Sequence, residues 1–350
     1  MKDRRFIPSA RHLFFQIMHT TSRNPYLDAL KGMAIIMVVF IHSSPSINVL
    51  SSAPMEQLRI FLRQCLNLAV PLFIAISGYL CAVKQRDAAG CRAFLHRQFR
   101  GLYVPTLIWS VPYPGPESAR RHQPAAEPTL VALCGCSIYY FIAVILQYYA
   151  LSRFLIKLTH RGGVILSALI SIGSVVLITW LTAFQGVRIF MVFYAGMFLF
   201  WLVFFVIGLY FGRYPQARQS TFWAGIVIMV VGLWASMAET HWLSQLKHND
   251  FMGYKLSAFV MASGAICLLF SSVIEKRFRS ESVLSRLLAY LGRNSLGIYL
   301  IHCYWISAVV RLWNNVNWLV KGALAIFLSV MTIKIVKRYL PRIAPFLGFR

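Results

Sequence analysis

The first apolar run of the chain, YLDALKGMAIIMVVFIHSS, carries three side chains able to hold or move a proton: Asp28, Lys31 and His42. An imidazole accepts and returns a proton near neutral pH, which is the help an alcohol needs before it can attack a carbonyl. Lys31 precedes His42 by eleven positions. At about 100° per residue that offset is three turns plus roughly 20°, so both side chains leave one face of a helix, about 16 Å apart. Asp28, fourteen positions before His42, falls near the same face, about 40° short of four turns. Ionisable groups at membrane depth are costly and mark reaction sites or pathways. The plainer alternative is an interfacial histidine satisfied by headgroups and by Ser43 and Ser44.

Two more groups of residues have useful chemistry. In HRQFRGLYVP, Arg97 and Arg100 are three apart on one helical face, with Lys84, Arg86 and Arg92 upstream. Forked guanidinium donors suit phosphate, although a basic loop beside a membrane also serves topology and lipid contact. In GRNSLGIYLIH, Asn294 and Ser295 are placed to cap a helix and His302 lies about two turns further in. That second intramembrane histidine either pairs with the first-helix site or bonds a neighbouring helix.

The elements that must position these residues are membrane helices. Hydrophobic residues make up 58% of the 350 and charged residues 13%, with a mean hydropathy of +0.64, too apolar for a soluble domain of this length. An all-α polytopic fold is predicted, with ten candidate spans near 27–46, 64–83, 102–112, 130–151, 164–184, 189–211, 221–238, 256–274, 294–310 and 316–336. The third is short as bounded, and its end is expected in the Pro-rich stretch 112–128, an irregular loop. Pro71, within NLAVPLFIAISGYL, is expected to kink the second span. Residues 239–255 read as a polar external loop. Around the membrane domain, 25–340, lie a basic tail, 1–24, and a short tail, 341–350.

The net charge is +25. With ten spans and a cytoplasmic N-terminus, 26 of the 35 lysines and arginines fall on the cytoplasmic side, which is the positive-inside rule. The basicity therefore reads as topology and contact with anionic membrane lipids, not nucleic acid. The first run continues into polar sequence without a small-residue cleavage site, so it reads as a retained span. The seven cysteines show neither a disulfide framework nor a metal spacing, and they read as small packing residues with no metal implied. Tyr139, Tyr140, Tyr148 and Tyr149 read as interfacial or packing aromatics, or as a surface on which a sugar ring could stack.

The ordered blocks YLDALKG with His42, NLAVPLFIAISGYL, Arg97-x-x-Arg100 with Pro105, YYFIAVILQYY, FFVIGLYFGR and NSLGIYLIH resemble the integral-membrane acyltransferase-3 family, which includes bacterial polysaccharide O-acetyltransferases. The resemblance implies ten transmembrane helices in the bacterial inner membrane, with both termini cytoplasmic. It also implies a catalytic His42, and a donor end at Arg97 and Arg100 for acetyl-CoA, a substrate rather than a bound cofactor. Lys31 stands where the family motif has an arginine; it keeps the charge and loses the fork. The implied activity is acetylation of a surface polysaccharide, exopolysaccharide or O-antigen, or of its lipid-linked precursor, with a polysaccharide assembly complex as an implied partner. In that reading His42 is the general base or a transient acyl carrier, with Ser43 a second carrier candidate. A transporter or flippase of lipid-linked sugars is the competing class.

Overall fold

The computed structural model describes residues 24–84, 88–110, 139–187, 189, 193–247, 254–313 and 315–349, with side chains 84–94 left aside. The basic tail up to residue 23, the loop 112–128, Cys134 and Cys136 lie outside the described residues, as do the side chains of Lys84, Arg86 and Arg92. Among the described residues the fold is all α, without a strand. Seven helical stretches are long and apolar enough to cross a membrane, and Leu202–Arg213 and Leu256–Leu269 are shorter apolar helices.

Helix α1, Pro25–Ser43, starts where its sequence demands. Asn24 accepts from the backbone N–H groups of Tyr26 and Leu27, at 2.9 and 3.3 Å, and Pro25 fills the first helical position, which needs no donor. The helix lies at the centre of the bundle. It packs against α2 (Pro54–Leu66), α3 (Ala69–Lys84), α11 (Val283–Arg293), α12 (Ser295–Leu312) and α13 (Trp318–Tyr339). The other principal helices are α4 (Ala88–Ser110), α5 (Tyr140–Leu155), α6 (Arg161–Thr179), α7 (Leu202–Arg213), α8 (Thr221–Lys247), α9 (Leu256–Leu269) and the short α10 (Ser272–Arg277).

Two crossings are as close as backbones allow. Where α1 meets α11, a Cβ on Gly32 would overlap the carbonyl of Leu288, and one on Gly292 the carbonyl of Asp28. Where α3 meets α7, Gly78 and Gly208 face the carbonyls of Phe205 and Ala75 in the same way. Small residues permit such contact, and packing and hydrogen bonds hold helices together where lipid offers no hydrophobic drive. At the basic end, Arg218 is buried over the Tyr79 ring, donates to Phe270 O at 2.6 Å and pairs with Glu275, tying α10 to the turn before α8. Toward lipid, α8 exposes Trp223 near one end and Trp242 near the other. Nineteen residues of helix between them rise about 28 Å, close to the hydrocarbon thickness, as expected for two aromatic belts.

Several details depart from the sequence reading. The third span takes its length from upstream: α4 runs Ala88–Ser110, and it carries Arg97 and Arg100 on a helix, in keeping with their three-residue spacing. Pro71 does not kink a long helix. The chain turns at Asn67–Leu68, and Pro71 sits in the first turn of α3, where its missing N–H costs no bond. The supposed loop 239–255 is helical as far as Lys247, and Lys255 is fully buried, donating to Gln64 Oε1 at 2.8 Å and to Thr240. Of the alternatives open for the tyrosines, packing holds for Tyr139 and Tyr148, both of which are buried. The final segment is no free tail: residues 341–349 form turns that are largely exposed but anchored at their end, where Gly348 and Phe349 are buried and Leu347 O accepts from Trp109 Nε1 at 3.1 Å.

Candidate functional site

The Gly32–Gly292 crossing sets the register of the site. His42 and His302 each lie ten positions beyond their glycine, so α1 and α12 carry them to a common level. Their ring centroids are 5.2 Å apart, at 50°. His302 is fully buried, whereas His42 is exposed. Tyr139 OH donates to Leu300 O at 2.7 Å and Tyr304 OH to Trp109 O at 2.6 Å, fixing α12 against α5 and α4 on either side of this pair. Ser43, the second carrier candidate, turns away: it is buried and approaches Gly322 of α13.

Toward the ends at which α1 and α12 begin, the same helices wall a cavity of about 390 Å³. Lys31, Gln98, Tyr149, Arg293, Ser295 and Tyr299 contribute its polar wall, with apolar side chains of α3 and α5 and the backbone of Gly348 around them. Asp28, only 2% exposed, receives Lys31 Nζ at 3.3 Å. One turn apart on the helix, the pair holds the ammonium group at the cavity wall. Tyr299 joins the two halves of the site. It lines the cavity, and its ring centroid is 5.9 Å from that of His302.

The structure thus brings Asp28, Lys31 and Ser295 together at the cavity end and His42 and His302 at the other. Arg97 and Arg100 stay outside the cavity wall, exposed on α4 on either side of Gln98. Asn294 does not cap α12 with its side chain; it donates to Tyr290 O and accepts from Lys337 Nζ, both at 2.9 Å. Its geometry bridges the α11–α12 corner to α13.

Sequence reasoning missed Arg293, Gln98 and Tyr299. Arg293 had been absorbed into the charge count, although its place directly before Asn294–Ser295 offered a clue. Cys303, read as a packing residue, also belongs to the site: its Sγ is 3.2 Å from His302 Nε2. Among the described residues, the donor atoms of His42, His302 and Cys303 lie within 4.8 Å of one another, a set of the kind that zinc accepts with a fourth position open. No cysteine or histidine spacing in the sequence announced this, because the three residues come from two helices.

Chemically, the arrangement offers a basic recess for an anionic group at one end and an imidazole pair able to take a proton at the other. If Lys31 holds a phosphate, Lys31→Ala should raise the KM for acyl-CoA about tenfold, the scale of one charged hydrogen bond. The KM for an acyl-pantetheine without phosphate should stay unchanged. Lys31→Arg should preserve or raise activity. An equal effect on both donors in a steady-state assay would remove Lys31 from phosphate binding.

A family model described as an acyltransferase domain matches residues 24–334. No curated protein and no solved structure matches the chain.

Proposed function

The chain belongs to the acyltransferase-3 family and is a membrane acyltransferase, and on that premise we propose that it moves acetyl from acetyl-CoA to a hydroxyl of a surface polysaccharide or its lipid-linked precursor. The observation that carries this reading is the order of residues along α12: Ser295 and Tyr299 in the wall of the basic cavity, then His302 beside Tyr299 and paired with His42. The positive-inside bias favours the cavity end as cytoplasmic, in a bacterial inner membrane with both termini inside. Acetyl-CoA then enters from the side that contains it. Lys31 and Arg293 receive phosphate, and Arg97 and Arg100 line the approach on α4.

At the other end His42 takes the proton of the acceptor hydroxyl as the oxygen attacks the acyl carbon. Its exposure lets a bulky glycan reach it, while buried His302 packs its ring. An envelope acceptor, whether exopolysaccharide or O-antigen, suits a site that opens away from the basic end.

Acetate on the purified surface glycan tests the proposal. Deletion of the gene should remove acetate from the repeat unit, as read by mass spectrometry, without stopping polymer export, and complementation should restore it. Loss of export with acetylation unaltered would favour a transporter of lipid-linked sugars instead.

A further inference from the structure

His302 and Cys303 are consecutive on α12, yet their polar atoms converge. His302 Nδ1 lies 2.7 Å from Tyr299 O and 3.2 Å from Ile298 O. A carbonyl oxygen only accepts, so Nδ1 carries the ring proton and Nε2 of the neutral ring presents a lone pair. Cys303 Sγ meets that nitrogen at 3.2 Å and donates to it. A thiol, a base within hydrogen-bond reach and a third group that fixes the base's tautomer together form the arrangement of an activated nucleophile.

The position of this dyad also needs explanation. Ser295 and Tyr299 line the cavity at four-residue intervals, and Cys303 is the next member of that series, one turn further along the same stripe. The ring of His42 stands beside His302, with its donor nitrogen also within 4.8 Å of the Cys303 sulfur. The thiol therefore lies between the donor recess and the acceptor base. It is 6% exposed beside a fully buried histidine, so bulk water, which would hydrolyse a thioester, is kept away.

We propose that Cys303 is a transient acyl carrier, loaded from the donor thioester with His302 as its base and discharged to the acceptor hydroxyl beside His42. This inference rests on the acyltransferase reading of the same site. In the first half-reaction the Cys303 sulfur bonds to the acyl carbon and the carbon–sulfur bond to coenzyme A breaks. The thiol proton passes to His302 Nε2 and on to the departing thiolate, which leaves as free coenzyme A. One thioester replaces another, so no redox partner is needed. In the second half-reaction the acceptor oxygen bonds to the acyl carbon, the bond to Cys303 breaks, and the hydroxyl proton passes through His42 to the Cys303 thiolate. Both histidines end neutral and the thiol is restored.

The test uses the purified full chain in lipid nanodiscs, incubated with [1-14C]acetyl-CoA without acceptor, quenched and mapped by peptide mass spectrometry. One acetyl group is expected on the Cys303 peptide, released by neutral hydroxylamine. It should be absent from Cys303→Ala and form at least tenfold more slowly in His302→Gln. Cys303→Ser, which keeps the volume, should carry at most a slow, hydroxylamine-resistant oxygen ester, and its thermal midpoint shows whether the fold is retained. In cells, glycan acetate should fall at least tenfold in Cys303→Ala.

Wild-type glycan acetate in Cys303→Ala cells overturns the carrier, as does label confined to His42. Stoichiometric zinc in the active protein, lost in Cys303→Ala, overturns it as well. Each of these results leaves the acyltransferase intact. Equal glycan acetate in wild-type and deletion cells overturns the glycan reading itself, whatever label Cys303 carries.

Discussion

His42→Ala is expected to lower acyl transfer to the acceptor by about 10²- to 10⁴-fold, the range supplied by one positioned general base, while donor uptake persists. The separation follows from the geometry. Lys31, Arg293 and Ser295 wall the cavity without His42, which stands at the far end beside His302. Truncating an exposed imidazole leaves little cavity behind, so protein level and thermal midpoint should stay near wild type. Single-turnover measurements separate the two stages: with Cys303 as the proposed carrier, the variant should still release coenzyme A once from acetyl-CoA, while onward transfer slows by that factor. Transfer within tenfold of wild type would mean that another group takes the acceptor proton. His42→Gln is the stricter comparison, since it keeps the polar volume and removes the basicity.

Gly292→Val should have the largest effect on the fold. The new side chain would occupy the carbonyl of Asp28, and backbone cannot step aside as a flexible side chain can. Overpacking of ordinary cores costs about 1–3 kcal/mol, and a clash onto backbone at the centre of the bundle should reach at least the top of that range. Because α11 and α1 also set the level of Lys31 and the two histidines, activity should fall with stability. The expected readout is a thermal midpoint in detergent lower by several degrees and a loss of monodisperse protein. Gly173→Val is the matched control: its Cβ would meet nothing within 4 Å, and its midpoint should not move.

The architecture was legible because the membrane imposes it. Long apolar stretches leave few other solutions, and among the described residues seven helices long enough to cross and two shorter apolar ones fall on nine of the ten expected spans. The alignment of Lys31 with His42 was also legible, since both belong to one helix of constant pitch. The meeting of His42 with His302 depends on a glycine crossing between α1 and α11, and one sequence does not announce which small residues touch. Cys303 shows the same limit more sharply. Its partner is its own neighbour in sequence, but only the tautomer imposed by the Tyr299 carbonyl turns adjacency into a dyad. Lys255 was hidden differently: composition places a lysine in a polar loop, whereas tertiary packing supplies Gln64 and Thr240 and takes it into the interior.

The paired glycine crossings of α1 with α11 and α3 with α7 also constrain how the molecule can move. Each works as a bolt through the bundle, because sliding either helix along its partner would push an ordinary side chain into backbone. Sliding of α1 along α11, or of α3 along α7, is opposed at both places. Between the recess and the His42–His302 pair stands the buried Tyr299 ring. On the proposed reading, coenzyme and glycan would stay in their own compartments while only the acyl group crosses, and the permeability barrier would survive every turnover.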